Sequence, residues 1–334
     1  MLKNLDQFST RDSMDRYLEI LKAWEIDTVK KVTTIHPGRV FKVELENGVF
    51  LLLKDIGKED PQVFRRFEFE YDVLRHLHQV GISVAIPILD RRGKPLVIHN
   101  EHYFTLSPFL TTNNRWLDLN FDELKNLYYN CGSAIARLHI ALASFPTVDI
   151  EKRTWKTVFP DVLLNQCIPN VCQNMSEQER TGFEMILHDL IEDINTFTKG
   201  LSEQLIHRDC HTGNIVVNGE QVSGFVDCDH ISLGPKIFDI ADFLVHMIKN
   251  DVSDRELTKR WLNLFPVVLE GYEKENPLSE KEKQGLYFIM LGTFIMFADW
   301  FYKIGDADKA QAEMVAFNWM YRNRQEICKR IMAV

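Results

Sequence analysis

The amino terminus of this chain lacks the apolar core of a secretory leader: residues 1–12 read M-L-K-N-L-D-Q-F-S-T-R-D. Paired C-x-x-C cysteines are missing as well. Cys131, Cys167, Cys172, Cys210, Cys228 and Cys328 are scattered, which argues against a disulfide framework and fits a reducing cytoplasm. There is no basic excess. The net charge is −9, whereas a general nucleic-acid binder needs a positive face. Long hydrophobic runs are also lacking. The most apolar C-terminal stretch, 286–301, is broken by Gly292 and Asp299 and reads as a buried helix. Internal repeats and low-complexity tracts are absent. The expectation is a cytoplasmic protein with no nucleic-acid and no membrane partner, and with nothing in the sequence to fix its oligomeric state.

What is present points to two lobes. A chain of 334 residues with 45% apolar side chains exceeds the size of one compact core. After an amphipathic helix over 12–24, three β-rich runs follow at 31–36, 39–45 and 49–54. Asn47-Gly48 marks a hairpin turn between the last two. The turn between the first two, His36-Pro37-Gly38, is the place for backbone amides to face a phosphate, but its single glycine is weak for a phosphate loop.

Lys54 closes the third run after five apolar residues. A lysine there either snorkels to the rim or clamps a phosphate. The helix expected over 64–80 bears on this choice. Phe67, Tyr71, Leu74, Leu77 and Val80 form its stripe, with Glu70 at the border and Glu68 away from it. A carboxylate at that border reaches a lysine on an adjoining sheet, so Lys54 is paired with Glu70. Short strands are expected over 82–89, 96–98 and 103–107. Pro108 then stops the ladder. The lobe boundary is set there, giving a β-rich lobe over 1–107 and a mostly helical lobe over 108–334. Helices are expected over 121–142, 177–199, 254–274, 280–303 and 307–332. Three of them open with capping boxes, at Ser176/Glu179, Ser253/Glu256 and Ser279/Glu282. Residues 145–175 read as loop with short helices.

The chemistry concentrates in 205–229, L-I-H-R-D-C-H-T-G-N-I-V-V-N-G-E-Q-V-S-G-F-V-D-C-D. Asn218-Gly219 turns a hairpin. Asn214 stands at its start and Asp227 at its far end, so folding the hairpin brings them together. An amide oxygen and a carboxylate suit Mg²⁺. Asp209, one loop away, suits a general base for a hydroxyl, a role that typically contributes about 10²–10⁴-fold. This is the set that phosphoryl transfer from a nucleoside triphosphate requires.

H-R-D-C-H-T-G-N followed by F-V-D resembles the catalytic and metal-binding loops of the aminoglycoside phosphotransferase and choline kinase group, within the protein-kinase-like superfamily. The likeness extends over roughly residues 30–300. The N-terminal helix and the V-A-I-P-I segment are similar in layout to stress-response-kinase and homoserine-kinase-like members. The resemblance implies an α+β fold of two lobes: an N-terminal antiparallel sheet with one main helix, and a larger, mostly helical C-terminal lobe. It implies ATP and Mg²⁺ as cofactors, Asp209 as catalytic base, and Asn214 and Asp227 as metal ligands. Lys54, held by Glu70, would contact the α- and β-phosphates. The hinge from Ser107 to Leu110 would meet adenine through its backbone. Asp239 in F-D-I-A-D-F-L would brace the catalytic loop. The chain departs from protein kinases in having only Gly38 in the candidate phosphate loop. It also lacks a long segment ending in A-P-E after Asp227, which favours a small-molecule hydroxyl as acceptor: an amino alcohol, a sugar, a homoserine-like metabolite or an aminoglycoside.

Other readings of the same residues stand beside this one. His207, Cys210, His211, Cys228 and His230 could form a zinc set, although that leaves Asp209, Asn214 and Asp227 without a role. The same fold could serve a Ser/Thr protein kinase of the stress-response type, or a nucleotide-binding module without catalysis. For the acceptor, Asp229, Asp242, Asp299 and Trp300 are candidates, set against a plain core role for the Phe294, Phe297 and Phe301 helix.

Overall fold

The computed structural model describes residues 11–110, 119–146, 159–248 and 252–334. The chain forms two compact units, one ending at Thr111 and one beginning at Thr112.

The first unit contains α1 (Arg11–Leu21), β1 (Val29–His36), β2 (Val40–Leu45), β3 (Phe50–Lys58), α2 (Pro61–Gln79), β4 (Val97–His99) and β5 (His102–Pro108). Its antiparallel sheet has the order β1-β2-β3-β5-β4. Alternation along the strands gives the sheet two covered faces. On one, Ile20, Leu21 and Trp24 pack against Phe41, Val43, Leu51, Leu53, Phe104 and Leu106. On the other, Phe67 of α2 packs with Leu96, Tyr103 and Ile56. Asp60 caps α2 by accepting from the Gln62 and Val63 amides, at 2.6 and 3.4 Å. Pro61 takes the first helical position, where its missing N–H costs nothing.

Three expectations for this unit are corrected. Lys54 does not end its strand, because β3 runs on to Lys58 through an irregularity between Asp55 and Gly57. The Asp55 carboxylate sustains that stretch by accepting from the Gly57 amide at 2.9 Å and meeting His102 Nδ1 at 2.8 Å. Residues 82–89 form no strand beyond an isolated bridge at Val84. Pro87 has no donor, and the Ile88 carbonyl is taken by Trp24 Nε1 at 2.9 Å. Pro108 does not stop β5 before it. It sits opposite Leu51 at the strand end, and Phe109 still donates to the Phe50 carbonyl at 3.0 Å.

The second unit begins with α3 (Phe121–Ala143), α4 (Ile168–Asn174) and α5 (Glu177–Thr198). It continues with β6 (Glu203–Ile206), β7 (Ile215–Asn218), β8 (Gln221–Phe225) and β9 (Ser232–Pro235). It closes with α6 (Ile237–Ile248), α7 (Arg255–Glu275), α8 (Glu280–Lys303), α9 (Ala307–Arg322) and α10 (Arg324–Ala333). Of the loop expected over 145–175, residues 147–158 lie outside the described residues. The capping boxes at Ser176 and Ser279 form as expected, and α3 has a third at Asn120/Glu123. The one expected at Ser253 does not form. Asp254, one residue later, caps α7 instead, accepting from the Glu256 and Leu257 amides. The single helix expected over 307–332 breaks at Asn323, whose side chain donates to the Trp319 carbonyl at 2.8 Å and competes with the backbone.

α8 is long and apolar enough to cross a membrane, but 78% of its apolar window is buried inside the protein. It is the core helix on which α5, α6 and α9 pack. Between α3 and α7 the backbones nearly touch. A Cβ built at Gly132 would lie 1.9 Å from the Val268 carbonyl oxygen, and one at Gly271 would lie 2.0 Å from that of Tyr129. Two glycines on facing helices make this approach possible.

Candidate active site

β6 enters the centre of the second unit with Leu205 and Ile206 buried. Antiparallel pairing with β9 fixes its direction. The chain then turns sharply, and Arg208 takes a left-handed conformation with φ +67. A non-glycine residue there costs roughly 1–2 kcal/mol, so something must hold it. The holder is Asp239, fully buried in the first turn of α6. Its Oδ2 accepts from the His207 amide and its Oδ1 from the Arg208 amide, both at 2.7 Å. Hydrogen bonds to a charged acceptor contribute about 1.5–3 kcal/mol each, enough to offset the turn.

Asp209 follows on this anchored turn and is partly exposed. The Asn214 Nδ2 donates both to the Asp209 carboxylate Oδ2 at 2.8 Å and to its main-chain oxygen at 2.9 Å. This fixes the amide flip, since only nitrogen donates. Asn214 Oδ1 takes part in neither of these bonds. The Val226 amide donates to the Asn214 carbonyl at 3.0 Å, closing the β7–β8 hairpin. Asp227 therefore stands one residue beyond the partner of Asn214. It is exposed, with φ +58. His207 Nε2 donates to the Val226 carbonyl at 3.0 Å, joining the loop to the hairpin end.

Two oxygen donors at one hairpin end, one of them an amide oxygen turned away from its own hydrogen bonds, fit a hard cation such as Mg²⁺ that keeps water and phosphate oxygens. The zinc set is not assembled. Among the described residues no three His, Cys, Asp or Glu side chains converge as a metal group. Cys210 and Cys228 are buried, and burial pushes the Cys210 thiol well above its usual pKa.

His211 lies on the other side of Asp209, with Nε2 3.6 Å from Oδ1. Its ring stacks on His246 at 4.7 Å, and Phe297 closes edge-on over His246 at 5.1 Å. Burial lowers the His211 pKa against the opposing pull of Asp209. Asp242 is buried within 3.2 Å of His246 Nδ1. The candidate acceptor groups thus separate. Asp299 is taken by Lys303 and Asn170, each at 2.7 Å, and Trp300 is 52% exposed. Asp229, half-buried, lies on the short helical turn after Asp227.

In the first unit, Lys54 pairs with Thr105 on the sheet face that carries Tyr103, the face covered by α2. Lys54 and Glu70 are both half-buried, while Glu68 is exposed. Glu70 follows Phe67 by one helical turn, on the side of α2 turned to that face. Ser107 pairs with Leu52, and Leu110 lies two residues past the strand end. Sequence reasoning missed His139, Tyr272 and Lys236, which reach Asp239 through the core. The one available signal was a histidine on the apolar face of α3.

The family model described as "Phosphotransferase enzyme family" matches residues 36–278. A homoserine kinase of Janthinobacterium sp. (strain Marseille) is 22% identical over 66% of this chain and 68% of its own length. Among solved structures, the amicoumacin kinase hAmiN, in complex with AMP-PNP, Ca²⁺ and Ami, superposes with a TM-score of 0.67. It has 17% identity and covers 95% of this chain and 94% of its own. An aminoglycoside phosphotransferase from Alicyclobacillus acidocaldarius has a TM-score of 0.68 and 13% identity, covering 95% and 96%.

Proposed function

The chain belongs to the phosphotransferase enzyme family, and from that premise we propose how its residues move the γ-phosphate of ATP to the hydroxyl of a small molecule. Asp209 is the base. It accepts the acceptor's hydroxyl proton as the oxygen bonds the γ-phosphorus and ADP departs. The observation that supports this role is the double hydrogen bond from Asn214, which holds the Asp209 carboxylate in one orientation. Asn214 Oδ1 and Asp227 would hold Mg²⁺, which when bound neutralises charge on the phosphates. Lys54, oriented by Glu70, would hold the α- and β-phosphates, and the backbone from Ser107 to Leu110 would receive adenine.

The acceptor we propose is a small amino alcohol of the homoserine kind. Support comes from the homoserine kinase relatives and from the acidic groups Asp209 and Asp229, which suit an ammonium. From Asp227 to the start of α6 the chain holds only a short helical turn and β9. That leaves no length for a peptide-docking segment and counts against a protein acceptor. The test is ADP release across L-homoserine, simple amino alcohols, methylthioribose and an aminoglycoside. Acceptor-dependent ADP formation with homoserine or an amino alcohol supports the reading. Silence with these, alongside turnover with a protein substrate, contradicts it.

A further inference from the structure

Asp239 is one end of a longer buried chain of hydrogen bonds. Lys236 Nζ donates to Asn276 Oδ1 at 3.2 Å and to the Pro277 carbonyl at 3.1 Å, with Glu282 3.6 Å away. Asn276 Nδ2 donates to the Tyr272 hydroxyl at 3.2 Å. That hydroxyl lies 2.8 Å from His139 Nδ1, and His139 Nε2 lies 2.9 Å from Asp239 Oδ2. His139, Tyr272 and Asp239 are fully buried, and Lys236 is nearly so.

Elementary chemistry orients every link. An ammonium only donates, so the Asn276 atom facing Lys236 is the oxygen and the atom facing Tyr272 is the NH₂. The Tyr272 hydroxyl accepts that bond and has its own proton left for His139 Nδ1. Burial raises the Tyr272 pKa far above the usual tyrosine range, so the proton is always there. Nδ1 then accepts, and Nε2 carries the hydrogen that Asp239 requires.

We propose that Lys236, Asn276, Tyr272 and His139 form a one-way hydrogen-bond relay that locks His139 as its Nε2–H tautomer and, through Asp239, sets the His207–Arg208 turn that carries Asp209. The kinetic part of this proposal rests on Asp209 acting as the base. All four are positioning residues. Packing alone would not require them, since an apolar cluster of similar volume fills a core without leaving groups that must all be satisfied at once. The relay also crosses three elements: α3, the C-terminal end of α7 and the start of α6. The glycine-mediated approach of α3 and α7 places Tyr272, next to Gly271, against His139.

The test uses the full chain, ¹⁵N-labelled, with imidazole nitrogens read by long-range ¹H–¹⁵N spectra and His139 assigned with His139→Gln. The wild type is expected to show His139 neutral at pH 7 with the hydrogen on Nε2. Tyr272→Phe is expected to shift His139 Nδ1 and to move the His207 and Arg208 amide signals. It should also slow Mg·ATP hydrolysis, with water as acceptor, by roughly tenfold, the weight of one hydrogen bond. The KM for ATP should stay within about twofold. Lys236→Met should move the same signals in the same direction by less, and it decides the matter if Tyr272→Phe does not fold. An imidazolium or Nδ1–H form at His139 in the wild type overturns the relay. So does a folded Tyr272→Phe with unchanged His139, His207 and Arg208 signals, whatever its rate. If the wild type neither hydrolyses ATP nor transfers phosphate, the phosphotransfer reading fails, while the spectra still decide the relay.

Discussion

Asn214 gives both hydrogens of its side-chain amide to one residue, the carboxylate and main-chain oxygens of Asp209, at 2.8 and 2.9 Å. Base orientation and metal-ligand orientation are thereby one constraint. The amide that steadies Asp209 necessarily turns its oxygen the other way. Asn214→Ala should reduce turnover and Mg²⁺-linked nucleotide affinity together. Asn214→Asp removes the donor while keeping an oxygen, and should preserve metal-linked binding better than turnover. Calorimetric titration of ATP at varied Mg²⁺, beside steady-state rates, separates the two effects.

Asp239→Asn should be severe. The Asp239 carboxylate, itself fully buried, accepts from the His207 and Arg208 amides and from His139. An amide in its place sets an NH₂ against at least one of those donors. A loss of about 3 kcal/mol or more is expected, from two charge-assisted bonds at about 1.5–3 kcal/mol each. Urea unfolding measures it.

Lys54→Ala should raise the KM for ATP and lower kcat, with kcat/KM reduced by about 10²–10³, the usual scale for a fixed charge acting on transferring phosphate. Glu68→Gln, at an exposed position on the same helix, should change neither. Glu70→Gln should fall between them. Steady-state kinetics with ATP varied distinguishes the three.

Gly132→Ala and Gly271→Ala drive a methyl into the carbonyl of the opposing helix. Each should destabilise by about 1–3 kcal/mol or more. Gly182, on α5 with open space around its Cβ position, should instead gain up to about 1 kcal/mol on substitution by alanine. Thermal unfolding of the three variants tests this contrast.

The parts legible in the sequence are those governed by short-range rules. Asn218-Gly219 announced the hairpin that sets Asn214 beside Val226, and Ser176/Glu179 and Ser279/Glu282 announced two helix starts. The misses have equally specific causes. Ser253 and Asp254 are both competent caps one residue apart, so local chemistry could not choose between them. The I-S-V-A-I-P-I-L segment has strand-like residues, but its Ile88 carbonyl is claimed by Trp24, 64 positions away. Lys54 looked terminal because Asp55 and Gly57 are poor strand formers, and it takes the Gly57 amide together with the distant His102 to make Asp55 tolerable there. The resemblance already implied Asp239 as the brace of the catalytic loop, but its link to His139 was invisible for the same reason, since the two are 100 positions apart. Nothing near either residue reports the other.

The central claim is that Asp209 accepts the acceptor's proton. Its most direct test is ADP formation by Asp209→Asn, with homoserine or the best amino alcohol as acceptor, beside Mg·ATP binding by the same variant. The account predicts turnover reduced at least about 10²-fold, from loss of the base, with ATP affinity nearly unchanged. A variant that binds ATP normally and turns over at the wild-type rate would contradict it.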